Sequence, residues 1–161
     1  MTDNFIKLNE DNILKLGIKT SDGKDTGEFL EFDLEDIELP LKYQDMNEEL
    51  KKNIKNLENQ LLIIDRRQDV KGKKLMSKNE EDKIKIMGEY VRRQARVYDA
   101  FLGENGVKKL LNGRKLGWTS LQEIDEIIEK QIFPYLESNM EDITQKIKNK
   151  YSGSNEKEVL K

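Results

Sequence analysis

The feature that most constrains this chain is a row of apolar residues at heptad spacing. From Tyr43 onward, Leu50, Ile54, Leu57, Leu61 and Ile64 follow at intervals of four, three, four and three residues. On an α-helix that spacing lays the side chains along one seam. Glu48, Glu49, Lys51, Lys52, Lys55 and Glu58 take the outer faces. The pattern predicts a long helix from about Leu41 to Arg67, with Pro40 suited to its first turn. Leu62 and Ile63 widen the stripe near its end, where more core should surround it.

Asp65 to Glu80, DRRQDVKGKKLMSKNE, breaks the period. Gly72 is a natural helix stop. Ser77 and Glu80 have the spacing of a capping box, which starts a second helix near Lys78. Its seam is Ile84, Gly88 with Met87 beside it, Val91, Ala95, Tyr98 and Leu102, ending at Gly103. The small residues Gly88 and Ala95 would admit another helix closely. The joint reads as a hinge that sets whether the two helices fold back or splay apart, and Gly72→Pro or loss of the Ser77 cap should change the oligomeric state.

Beyond the corner FLGENG, Val107 to Leu111 makes a helical turn or two, stopped by Asn112-Gly113. Arg114 to Trp118 is a loop, and Thr119 to Gln122 reads as a second capping box. The last helix should run from Ser120 to about Lys150 along Leu121, Ile124, Ile128, Ile132, Leu136, Met140, Ile143 and Ile147. Pro134 removes a backbone hydrogen bond and should kink or divide it. Residues 151–161 read as a flexible tail.

Upstream of the helices the period changes to two. Leu14, Leu16 and Ile18 alternate with Lys15, Gly17 and Lys19, and Leu30, Phe32 and Leu34 alternate with Glu31, Asp33 and Glu35. The intervening TSDGKDTG is rich in turn formers, so the two runs form a hairpin. A lone hairpin is marginal in water, and its apolar face must dock on a helix. A brief edge strand over Asn4 to Leu8 is also expected. The fold class is therefore α+β, mostly α: a β-hairpin region over 1–39, then a helical region over 40–150 with three long amphipathic helices and one short helix.

Composition narrows the chemistry. The 161 residues hold no cysteine and no histidine. Disulfides, thiolates, zinc fingers and histidine acid–base work are excluded. Net charge is −3, with 29 basic and 32 acidic residues intermixed, so no basic field draws nucleic acid or an anionic membrane. No apolar run is long enough to span a bilayer, and the N-terminal stretch lacks the features of a signal peptide. No nucleotide-binding or hydrolase motif is present. The expectation is a non-enzymatic protein without catalytic residues, metal ligands or cofactor.

Six acids between Glu28 and Glu38 (Glu28, Glu31, Asp33, Glu35, Asp36 and Glu38) read as a solvated strand face, since strand carboxylates at alternate positions fan apart. Lys71, Lys73, Lys74 and Lys78 read as a solvated loop. Arg92, Arg93 and Arg96 should pair with acids of a neighbouring helix. The candidate partner-binding residues are the seam positions Leu50, Ile54, Leu57 and Leu61, with Phe101, Lys108, Lys109, Leu110, Arg114 and Trp118 at the corner.

Three stretches, EFDLEDIELPLKYQDM (31–46), LLIIDRRQDVKGKKLMSKNE (61–80) and YDAFLGENGVKKLLNGR (98–114), resemble small tail-module proteins of long-tailed phages and prophages, the tail assembly chaperones. The resemblance spans roughly residues 13 to 150. It implies a chaperone that coats the helical tape-measure protein, recruits tail tube subunits, self-associates as a homo-oligomer and works in the host bacterial cytoplasm. Many such chaperones exist as a short and a frameshift-extended form, and with no second domain the chain is expected to be a short form or a relative without one. The alternatives are a phage-encoded adaptor or inhibitor of a host protein and a minor structural tail component.

Overall fold

The computed structural model describes residues 4–7, 12–71 and 75–159, with side chains to residue 152. β1 (Ile13–Lys19) and β2 (Asp25–Asp33) pair antiparallel, with Leu14 opposite Phe32 and Leu16 opposite Leu30. The turn is tighter than expected, so β2 begins at Asp25. Thr20 N–H donates to Lys24 O at 2.8 Å, and Gly23 N–H donates to Thr20 O at 2.9 Å. The extra residues bulge out between the Phe29 and Asp25 pairings, where Gly27 takes φ 77°. Such left-handed backbone suits glycine. Asn4 to Lys7 form no strand, and Phe5 and Ile6 are exposed. Among the described residues no strand pairs with that segment. Leu8 lies outside the described residues.

The acidic run after β2 is spent on turns. Asp33 accepts from Glu35 N–H at 3.0 Å, Asp36 accepts from Glu38 N–H at 3.1 Å, and Lys42 pairs with Asp36 at 2.5 Å. That turn starts α1 at Leu39, two residues early, with Pro40 in the first turn (α1, Leu39–Arg66). Opposite Glu31, the Lys15 ammonium sits over the Phe29 ring, 4.2 Å from its centre.

α2 (Lys78–Leu102) folds back against α1, and the pairs Asn53–Gln94, Asp65–Lys83 and Arg67–Asp82 fix the register. The buried row of α1 is Leu39, Met46, Leu50, Asn53 and Ile64. The heptad expectation is corrected in one layer: polar Asn53 is buried and Ile54 is 39% exposed. Leu62 and Ile63 are exposed rather than wrapped in core. Near Gly88 a Cβ would meet only the Arg92 side chain of its own helix, so the close helix approach expected there does not occur. Ala95 is buried in the core.

The corner is built from left-handed residues. Gly103 (φ 101°) ends α2 and Asn105 (φ 59°) precedes α3 (Gly106–Leu111). Asn112 (φ 48°) and Gly113 (φ 86°) end α3. α4 (Trp118–Ile127) starts at Trp118, so the tryptophan is helical. Its cap is Gly117, whose N–H donates to Ser120 Oγ at 2.7 Å, and Thr119 is not a cap.

The expected break at Pro134 takes the form of a π turn over Ile128–Ile132, after which α5 (Phe133–Val159) continues. Phe133 N–H donates back to Ile128 O. Ile124, Ile128, Ile132 and Leu136, four residues apart, are each 1% exposed. In an unbroken α-helix that spacing would swing each side chain about 40° past the last. The wider π turn cancels the drift and leaves all four facing one core. α5 runs on through residues 151–159, so the region expected to be a flexible tail is helical backbone to Val159.

Ile18, Leu30 and Phe32 of the hairpin share one core with Leu50, Phe101, Leu111 and Ile124. The hairpin and the helices thus share a common core, and the secondary structure changes between Asp33 and Leu39, ahead of the expected 39/40 boundary.

Candidate partner-binding surface

The joint between α1 and α2 is cross-braced. Asn79 is the hub: its Nδ2 donates to Ile64 O at 3.2 Å and Arg67 O at 3.1 Å, and its Oδ1 accepts from Arg67 Nε at 2.9 Å. Asp69 accepts from Asn79 N–H at 3.1 Å and Val70 N–H at 2.9 Å. The Ser77 hydroxyl and these amides hold the Asp69 carboxyl below the usual carboxylate range. Arg67 at 2.7 Å and Lys78 at 3.0 Å do the same for Asp82. Ser77 Oγ accepts from Glu80 N–H at 3.2 Å, the N-cap half of the expected capping box. Lys78 is paired with Asp82, and the Lys71 backbone forms an antiparallel bridge with that of Ser77. Lys73, Lys74 and the Gly72 stop lie outside the described residues. The fold-back geometry therefore has its own fastenings, and of the two arrangements expected of the joint, the helices adopt the folded-back one.

The braced joint holds out the distal half of a two-helix blade. Residues on a helix turn about 100° per position, which places Ile54 and Leu61 on the same flank of α1 as Tyr43. Tyr43 stacks on Phe133 of α5 at 4.3 Å. The same reasoning places Ile84 on the flank of α2 that carries Val91, Ala95, Tyr98 and Leu102. Tyr98 donates to Asp125 of α4 at 3.0 Å. These two flanks face the side on which α4 and α5 pack. Near the corner those helices cover them; toward the joint nothing among the described residues does. Ile54 is 39% exposed, Ile84 50% and Trp118 55%, while Leu57 and Leu61 are half-buried. Trp118 stands where the cover ends, its ring 6.3 Å from Tyr90. The result is an apolar shelf.

The candidate residues divide between shelf and core. Ile54 and Trp118 are exposed and Leu57 and Leu61 half-buried, and these four are assigned to the shelf. Leu50 and Phe101 are buried, and Phe101 packs on Phe32 at 5.6 Å and on Tyr43 at 5.9 Å. Lys109 donates to Phe29 O at 3.2 Å and ties α3 to the hairpin. Arg114 pairs with Glu123 at 2.8 Å. Half-buried Leu110 and exposed Arg114 line a cleft of about 1030 Å³ between the hairpin, α3 and the π turn, with Lys19, Lys130 and Gln131 also lining it. Lys108 is exposed. Ile84 joins the shelf through its seam spacing, although sequence reasoning had not placed it among the partner-binding residues.

Arg93 and Arg96 line a second groove of about 630 Å³ with Asp45, Met46 and Glu49 on the opposite side of the blade. The pairing expected for Arg92, Arg93 and Arg96 is not among the ion pairs of the described residues. Among the described residues no three carboxylates are grouped to hold a metal ion, and no helix is long and apolar enough to cross a membrane. What the arrangement offers chemically is apolar area on a rigid two-helix support.

Comparison with protein-family models, curated proteins and solved structures gives no match.

Proposed function

We propose that this chain is a non-enzymatic tail assembly chaperone of a long-tailed phage or prophage, acting in the host bacterial cytoplasm. Its client is the helical tape-measure protein, around which it brings tail tube subunits, and it acts as a homo-oligomer. The observation that supports this reading best is the apolar shelf of Ile54, Leu61, Ile84 and Trp118. An amphipathic helix laid there would extend the helical layer that α4 and α5 begin, burying a row of anchors as helix-in-groove recognition does. The order of the EFDLEDIELPLKYQDM, LLIIDRRQDVKGKKLMSKNE and YDAFLGENGVKKLLNGR stretches supports the assignment to tail assembly. Nucleic acid, metal and cofactor play no part in it.

The test is co-expression with overlapping segments of the tape-measure protein of the same phage or prophage. Stoichiometric co-purification of a segment with the wild type, lost in Ile54→Asp and Ile84→Asp, is expected. Wild-type protein that captures no segment at micromolar concentration would sink the proposal. Purified particles should lack the chain; its presence there would favour a structural tail component.

A further inference from the structure

Beyond the core, α5 keeps its apolar row but loses its cover. From Glu141 to Ser152 every side chain is exposed except half-buried Ile143. Yet Met140, Ile143, Ile147 and Tyr151 continue the flank that Leu136 buries, at spacings of three, four and four residues. Ile147 is 52% exposed and Tyr151 63%. A helix in water without packing is marginal, so such an arm needs a partner.

The charges on the arm indicate which partner. Glu137, Glu141 and Asp142 occupy its first half; Lys146, Lys148 and Lys150 occupy its second. A second copy laid parallel would set acid against acid and base against base. Laid antiparallel, with the two-fold axis near Gln145, every layer matches. Ile143 meets Ile147 of the second copy and Met140 meets Tyr151. Helical angles put Glu141 and Lys148 on one flank, and Asp142 and Lys146 on the other, so each acid faces a base across the pair. Glu137 and Glu141, a like-charged pair one turn apart, are unfavourable in a lone helix, and Lys148 of the second copy relieves them.

We infer that the arm of α5 over residues 140–151 is a self-pairing site that joins two copies of this chain as an antiparallel, two-fold helix pair. The inference rests on the self-association in the reading above and is independent of the client. About 18 Å of helix buries an area at the low end of specific interfaces, so the dimer is a weak one.

The experiment is sedimentation equilibrium of the full chain, with helix content checked by circular dichroism. Glu141→Lys with Asp142→Lys, and separately Lys146→Glu with Lys148→Glu, should each weaken dimerisation by about tenfold or more. An equimolar mixture of the two variants should recover it. The chain has no cysteine, so orientation is read by oxidising a mixture of Ile143→Cys and Ile147→Cys. Cross-links between unlike variants are expected, and efficient Ile143→Cys homodimers would overturn the antiparallel geometry. A dimer indifferent to both charge reversals would overturn the α5 site while leaving self-association standing. A monomer up to millimolar concentration would overturn both.

Discussion

Asn53 Nδ2 donates to Gln94 Oε1 at 2.7 Å, in the middle of the seam between α1 and α2, and both side chains are 3% exposed. Gln94 Nε2 donates in turn to Leu50 O at 3.3 Å and Tyr90 Oη at 3.1 Å. One polar layer is thus closed inside an otherwise apolar interface. A buried polar pair in such a seam penalises any register that separates its members. Asn53→Ala leaves the Gln94 carbonyl without its donor and should cost about 1–3 kcal/mol in urea unfolding. Replacing both residues by leucine should cost less than either single change, since the pair is removed whole and only the Tyr90 hydroxyl loses a partner. A double variant less stable than both singles would refute the account.

The joint predicts a second hierarchy. Asn79→Ala removes the side chain that receives Arg67 and donates to two carbonyls, whereas Ser77→Ala removes one cap, worth about 1 kcal/mol. Asn79→Ala should therefore be the more damaging, with faster amide exchange at residues 64–71. If the sedimentation profile changes with Ser77→Ala while Asn79→Ala is silent, the bracing described here is not what holds the helices together.

These two sites also show what was legible beforehand. The hairpin, the Ser77 N-cap and the Gly103 and Asn112-Gly113 stops are local chemistry, and each stands where its residues put it. The blade's register was not legible. Ile54 and Asn53 are adjacent, either can complete a heptad, and the choice is made across the interface by Gln94, forty-one residues away. The π turn escaped for a related reason. A row spaced at four residues is compatible with a straight helix until all four side chains must reach one core. Of the residues that spacing and composition proposed, Ile54 and Trp118 are exposed and Leu57 and Leu61 half-buried. Leu50 and Phe101 carry the same apolar signal but are covered by elements distant in sequence.

Gly106 is a position where no left-handed angle is at issue, yet a methyl group is excluded. An added Cβ would lie 2.5 Å from Leu102 Cβ, an atom fixed to its own backbone. Gly106→Ala should destabilise by about 1–3 kcal/mol, the range for overpacking. Gly117, with nothing within 4 Å of an added Cβ, is the control and should tolerate alanine better in the same thermal melt.

Tyr98 gives the fold an alkaline limit. Burial pushes its hydroxyl well above the usual tyrosine range, and the charge of Asp125 adds to the shift. In the unfolded chain the hydroxyl ionises near pH 10. Below that value both states hold the proton and its contribution is constant. Above it the unfolded state sheds the proton while the folded state keeps it, so stability falls as pH rises. Tyr98→Phe should flatten that fall and, by stranding Asp125, lower stability at neutral pH. An unchanged slope between about pH 10 and 11 would contradict the assignment.

Trp118 is the single tryptophan, 55% exposed at the edge of the shelf. Its emission therefore reports on that surface alone. A helix docking on Ile54, Leu61 and Ile84 must remove water from the indole, so titration with a bound tape-measure segment should shift emission to the blue and protect it from iodide. Ile84→Asp should abolish the shift while changing stability by less than about 0.5 kcal/mol, as expected of a surface position. A segment that binds without altering the emission uses another face, the Arg93–Arg96 groove being the next to test.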